Sequence, residues 1–479
     1  MKNGGELGRA WGNFMPFNPG PTRRAVAFGL AATVSALPLG GRAKAQDGAR
    51  TLRAAPLRRK LRSEAREEAE LWGFDGEAPG APIRIRHGEE LRIRLVNDTP
   101  KPLSLHWHGV RGPSAMDGVA GLTQEPVAPG KSFEYRLTPP DAGTFLVRPL
   151  VLGGSSEPAG RGLSSLLIVE EREPPRLDAE FALVIDDWRL NESGSLAPFG
   201  AVADASTTGR LGNVLTVNAG AAPHALQVAP GARIRLRIAN ACNARAVRIR
   251  FDGLRAYIAA IDGQPTDTFE PLRATVPFAP GSRYDVLIDM PAEAGAKGAL
   301  VALLGHGTPL VSIETGGEPA SQRRPALPAI APLSPNKLLP PEIKLQNAVR
   351  KSLVIEGGAI RGPDGQYAYK GDPSRIWTIN GAPGSAERPM FSTKRGLPVV
   401  LRIENRTPAI QPLHLHGHVM RLLHERDDGW EPYFLDTVQV PEARTIHVAF
   451  LADNPGKWAI SSTVLERFDT GLWTWFEVT

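Results

Sequence analysis

One strand-length motif occurs three times along this chain and narrows what it can fold into. Gly88-Glu-Glu-Leu-Arg-Ile-Arg-Leu-Val-Asn97, Gly231-Ala-Arg-Ile-Arg-Leu-Arg-Ile-Ala-Asn240 and Gly396-Leu-Pro-Val-Val-Leu-Arg-Ile-Glu-Asn405 align position by position. In each, apolar residues stand three, five and seven places after the Gly, and an Asn stands at nine. A period of two puts the apolar side chains on one face of a strand and turns the Arg and Glu between them to water or a neighbouring domain. A second alternating strand follows each copy: Phe133, Tyr135 and Leu137, then Tyr284, Val286 and Ile288, then Ile446, Val448 and Phe450. Copies roughly 145–165 residues apart are too long for a solenoid. The pattern predicts an all-β chain of three consecutive Greek-key β-sandwich domains. They are placed at residues 46–172, 173–318 and 346–479, and a Pro-rich stretch at 319–345 reads as an extended linker.

A length of 479 residues suits about three domains, and frequent Gly and Pro with few aromatics suit short strands joined by turns. The formal net charge of +6 does not point to nucleic acid, because residues 1–45 hold six Lys/Arg against the single acid Glu6. Those residues read as an export signal. Arg23-Arg24 precedes an apolar run from Ala25 to Leu39, and Ala43-Lys44-Ala45 supplies a small-x-small cleavage site. The arginine pair, with Arg42 and Lys44 near the cut, favours the twin-arginine route and a periplasmic protein. No later apolar run reaches the roughly 18 residues of a membrane span, so no transmembrane segment is expected after signal removal. The alternating charges from Arg58 to Glu70 read as a solvated helix face. Cys242 is the one cysteine, which excludes an intrachain disulfide and reads as a buried thiol at a strand end.

Four of the ten histidines fall in two His-x-His pairs, His106/His108 and His414/His416. Residues two apart on a strand share a face, so each pair can aim two imidazoles at one ion. His106-Trp-His-Gly, with Met116-Asp117-Gly118 and Thr123-Gln124 after it, resembles the first copper motif of multicopper oxidases such as laccases and cuprous oxidases. Asp141-Ala-Gly-Thr-Phe-Leu-Val-Arg148-Pro-Leu150 resembles the second, Pro412-Leu-His-Leu-His-Gly-His418 with Asp436-Thr-Val the third, and the run from Trp458 to Leu472 the fourth. The resemblance, from about Trp72 to the C-terminus, implies three cupredoxin-like domains with a copper cluster shared between the first and third.

The resemblance also implies that many ligands are replaced. Gln411, Ser462 and Arg467 stand at the type 1 copper positions, with Leu472 at the axial one. Arg148, Leu150, Ser461 and Thr463 stand where the trinuclear cluster has histidines, and His106, His108, His414 and His416 remain. His106 and His414 correspond to the type 2 ligands, and Asp117 to an acid that could relay protons. A serine hydroxyl cannot replace a soft thiolate, and a guanidinium has no lone pair to offer. Electrons from a substrate would have no path to oxygen. The expected function is therefore a periplasmic scaffold of the envelope, resembling a division-associated branch of the family without copper ligands, with envelope or division proteins as partners and no cofactor. The alternative is an oxidoreductase using one or two copper ions, or a zinc, at the four residual histidines. Active laccase chemistry is the least expected. A third option is small-anion binding at Arg148 and Arg467, with Glu466 or Asp469 as candidate counter-charges.

Overall fold

A computed structural model describes residues 48–362, 365–424 and 429–479, so the export segment lies outside the described residues. The three repeated strand pairs form as the alternation requires. Leu91–Asn97 pairs antiparallel with Ser132–Leu137, Arg233–Asn240 with Arg283–Asp289, and Leu397–Asn405 with Thr445–Ala452. On its other side each first strand takes a parallel neighbour, Arg50–Arg59, Ala179–Trp188 and Val349–Gly357 respectively. A second sheet backs each of these three, which gives three cupredoxin-like β-sandwiches in succession. The apolar residues of the motif (Leu91, Ile93, Leu95; Ile234, Leu236, Ile238; Val399, Leu401, Ile403) are all at most 2% exposed. The repeated asparagines are buried and do one job in each copy. Asn97 donates to Lys101 O and Val127 O, Asn240 to Arg245 O and Phe278 O, and Asn405 to Ala409 O and Val440 O. Each ties its own turn to the next loop and satisfies carbonyls that would otherwise be lost to burial.

The opposite face differs between copies. In the second sandwich Arg235 and Arg237 are buried against Asp285 and, at the first sandwich's end, Glu171. The expectation of a helix over Arg58 to Glu70 is corrected. Arg50–Arg59 and Ala69–Phe74 are antiparallel strands, with Arg58 opposite Glu70, and the charges fall on strand ends and the turn between them. Strand pairing overrides the local helical preference there. Cys242 is buried two residues beyond the strand Arg233–Asn240. After the short helix Ala320–Arg323, no regular element occurs until Val349, yet the segment is held down. Pro328 O accepts from Arg233 at 2.8 Å, and Asn336 Nδ2 donates to Asp141 at 2.6 Å and Gln264 at 2.9 Å. No described helix is long and apolar enough to cross a membrane.

Two strands set the site. His106–His108 is the edge strand of the first sandwich's second sheet, paired with Gly143–Arg148. Gln411–Leu415 lies inside the third sandwich's second sheet, between Gly456–Ser462 and Thr437–Val440.

Candidate metal centre

The edge strand and the inner strand bring the two His-x-His pairs into one buried cluster. The rings of His108 and His414 stack at 3.6 Å, and His106 lies 4.4 Å from His416 and 5.4 Å from His414 between centroids. Ligand atoms of His106, His108 and His414 lie within 4.8 Å of one another, as do those of His106, Asp117 and His416. Domain packing decides this approach, and strand alternation within either pair does not reveal it.

Hydrogen bonding sorts the four imidazoles into two kinds. His106 Nδ1 donates to Asp117 O at 2.8 Å, and His414 Nδ1 donates to Asp436 O at 3.1 Å. With the proton on Nδ1, each Nε2 keeps its lone pair, and neither Nε2 has a hydrogen-bond partner. The other two rings are fully engaged. Thr437 Oγ1 spends its proton on Asp436, so His108 Nε2 donates to that oxygen at 3.0 Å while His108 Nδ1 accepts from Arg148 at 3.5 Å. His416 Nδ1 donates to Asp117 Oδ2 at 2.9 Å, and its Nε2 accepts from Ser461 Oγ at 2.9 Å. Burial holds His106, His108 and His416 well below the ordinary imidazole range, so all three are neutral. Burial raises the Asp117 carboxyl. It pushes on Asp436 too, but Arg283 and the facing histidines outweigh it and hold that carboxylate well down. The donors present therefore fit one metal ion taken between two imidazole nitrogens that have no hydrogen-bond partner.

The remaining positions that the resemblance assigned to copper ligands hold other side chains. Arg148 stands opposite His106 in the strand ladder. Burial, with repulsion from Arg283, lowers its guanidinium to about 10, which leaves it charged at neutral pH. Leu150 packs in an apolar cluster with Leu465, Phe468 and Trp473. Thr463 is buried and its hydroxyl has no partner. Gln411, Ser462, Arg467 and Leu472 come together, all at most 2% exposed. Arg467 Nη1 donates to Gln411 Oε1 and Ile410 O, both at 2.7 Å, and Nη2 donates to Thr207 O at 2.9 Å. Its guanidinium also lies 5.0 Å over the Trp377 ring. Glu466 favours the charged form of Arg467 from nearby, but neither expected carboxylate bonds it. Glu466 accepts from Asn243 and Asp469 from Ser155 and Ser156, and neither forms an ion pair with Arg467. The one-turn helix Leu465–Asp469 points those carboxylates at the neighbouring sandwiches instead.

The sequence reading missed two groups. Asp436 and Arg283 form a bidentate pair beside His108 and His414. Asp436 stands in a quoted motif and could have been suspected. Arg283 lies in an ordinary repeated strand, and only the packing of the second sandwich against the third reveals it.

Three family models, each describing a multicopper oxidase, match residues 58–174, 183–306 and 361–479. The chain belongs to the multicopper oxidase family. A crystal structure of a multi-copper oxidase from Pseudomonas thermotolerans superposes with a TM-score of 0.78 at 31% identity, over 90% of this chain and 99% of that one. Multicopper oxidase MmcO of Mycobacterium tuberculosis is 29% identical over 80% of this chain and 78% of its own. Cell division protein FtsP of Proteus mirabilis is 29% identical over 47% of each chain. Copper is thus the metal that the family brings to the histidine cluster.

Proposed function

We propose that this multicopper oxidase relative is a periplasmic protein, exported by the twin-arginine route, that serves the envelope as a scaffold and does not reduce oxygen to water. One observation carries the reading. The Arg467 guanidinium, donating at 2.7 Å to Gln411, occupies the place that the resemblance assigns to type 1 copper. A buried cation repels a metal ion, and none of Gln411, Ser462, Arg467 and Leu472 offers a sulfur to pass electrons. The similarity to a cell division protein over about half the chain supports division or envelope proteins as partners. The domain limits follow the sequence pattern: a signal at 1–45, sandwiches at 46–172, 173–318 and 346–479, and the strap at 319–345.

The test joins chemistry to the cell. After copper loading, the purified protein is expected to show no blue absorption and only background oxidation of phenols or cuprous ion. A quadruple His→Gln variant at His106, His108, His414 and His416 is expected to restore a deletion strain's morphology as well as wild type does. Fast substrate oxidation coupled to water formation would overturn the reading.

The two orphaned Nε2 atoms favour a second reading, in which His106 and His414 hold a single copper or zinc ion. Such an ion would supply redox or Lewis-acid chemistry. Asp117, bonded to His416, is the group that would hold a proton beside it. Elemental analysis should then give close to one ion per chain, falling sharply in His106→Ala. A ratio near zero in both proteins removes this reading.

A further inference from the structure

We propose that a cleft beside the third sandwich binds one zwitterion of dipeptide size, a molecule with a carboxylate, an ammonium and an apolar side chain. The cleft has a volume of about 280 Å³ and is lined by Arg421 and Trp430 of the third sandwich and by residues 342–346 at the end of the Pro-rich strap. Strand pairing brings the first two together. Met420–Leu422 is an edge strand paired with Thr445–Ala452, and the chain returns so that Leu423 bridges Trp430 and Leu422 O accepts from Glu431 N at 2.8 Å. Arg421 lies two residues before Leu423 and shares a face with it, and so with the Trp430 that stands opposite.

Arg421 lacks a polar partner. Its guanidinium lies 4.6 Å over the Phe434 ring, but Nε is buried with nothing to bond. Asp267 and Glu342 attract the guanidinium from nearby without bonding it. A buried donor left unmade is destabilising. The missing partner is therefore an acceptor at close range, and a carboxylate meets a guanidinium edge with two parallel bonds. Net charge sets the second condition. Glu342 and Asp267 already offset Arg421 and Lys344, so an anion alone would upset a balanced cleft. A zwitterion meets both conditions, with its carboxylate on Arg421 and its ammonium on the exposed Glu342. Trp430, Ile343 and Leu345 supply an apolar wall for a side chain. The volume lies at the small end of clefts that hold small molecules, roughly 300–1,000 Å³, which suits an occupant of dipeptide size. No lining residue belongs to the histidine cluster, so the site stands or falls separately from the proposed function.

The experiment uses the mature protein with the dipeptide Gly-Phe as the probe. Isothermal titration should show saturable binding of one Gly-Phe per chain. N-acetyl-Gly-Phe, which lacks the ammonium, and Gly-Phe amide, which lacks the carboxylate, should each bind about tenfold more weakly. Arg421→Met should weaken Gly-Phe by about tenfold and leave the amide unchanged. Glu342→Gln should weaken Gly-Phe to a similar extent and leave the N-acetyl form unchanged. Absence of saturable binding to wild type overturns the site, as does equal binding of Gly-Phe and either blocked form. Should Arg421→Met fail to fold, Glu342→Gln at its exposed position decides the matter, and an unchanged affinity for Gly-Phe there overturns the proposal.

Discussion

At the scale of single residues, the four clustered histidines and the side chains at the other expected ligand positions behave differently. His106 and His414 keep the donor geometry of a metal site, whereas Gln411 and Arg467 have become partners of each other. Arg467→Ala leaves Gln411 Oε1 and the carbonyls of Ile410 and Thr207 without a donor and opens a hole against Trp377. It is expected to lower stability by about 3 kcal/mol in urea unfolding. Both His-x-His pairs were legible in the sequence because they keep period two. Their convergence was not, since it requires an edge strand of one sandwich to face an inner strand of another. The absence of a direct carboxylate bond to Arg467 was equally hidden. Glu466 and Asp469 are close in sequence, but helical geometry sends them to Asn243 and to Ser155 and Ser156.

At the scale of elements, the repeated Gly-to-Asn strand was read correctly in all three copies, because apolar alternation and a turn glycine are local signals. The helix over Arg58 to Glu70 was misread, because the two ends of the run pair with each other as antiparallel strands, which alternating charge does not reveal. The repeated asparagine carries a measurable load. Asn405→Ala removes bonds to Ala409 O, Val440 O and Pro441 O and the acceptor for Thr407. Its cost should be about 3 kcal/mol at roughly 1 kcal/mol per buried bond, read by thermal unfolding. The helix Leu465–Asp469 docks through Asp469, whose oxygens accept from Ser155 N and Ser156 N at 2.8 Å. Burial lifts that carboxyl to about 6. Its unfolded counterpart titrates near 4. The folded chain therefore holds a proton that the unfolded chain releases between pH ~4 and ~6. The stability this group contributes is present at pH ~4, is lost as pH rises through that window, and stays constant above it. Asp469→Asn should flatten this part of the stability profile, by at most ~1.4 kcal/mol per pH unit.

At the scale of the whole molecule, Asp141 is the point where the parts meet. It accepts two bonds from Arg111, at 2.8 and 2.9 Å, and Arg111 also reaches Asp453 of the third sandwich at 3.1 Å. Gln264 of the second sandwich and Asn336 of the Pro-rich strap donate to the same carboxylate. Burial would raise Asp141, but Arg111 and the two amides outweigh it and hold it below the ordinary range. Asp141→Ala leaves Arg111 buried with Asp453 alone and should lower stability by about 3–5 kcal/mol. Calorimetry should then resolve a broadened or split transition in place of a single one, as the sandwiches uncouple. The motif around Asp141 was legible as a family signature, but its role in joining the parts was not, because its partners Arg111, Gln264 and Asn336 come from three separate stretches of chain.

The Arg467 plug carries a consequence for how the molecule matures. A transition-metal ion must be acquired, and its supply varies with growth conditions. A guanidinium arrives with translation, in fixed stoichiometry, and cannot be exchanged for a wrong ion or stripped by a chelator. If Arg467 seals the electron-entry site as proposed, the chain reaches its finished shape equally well in copper famine and copper excess.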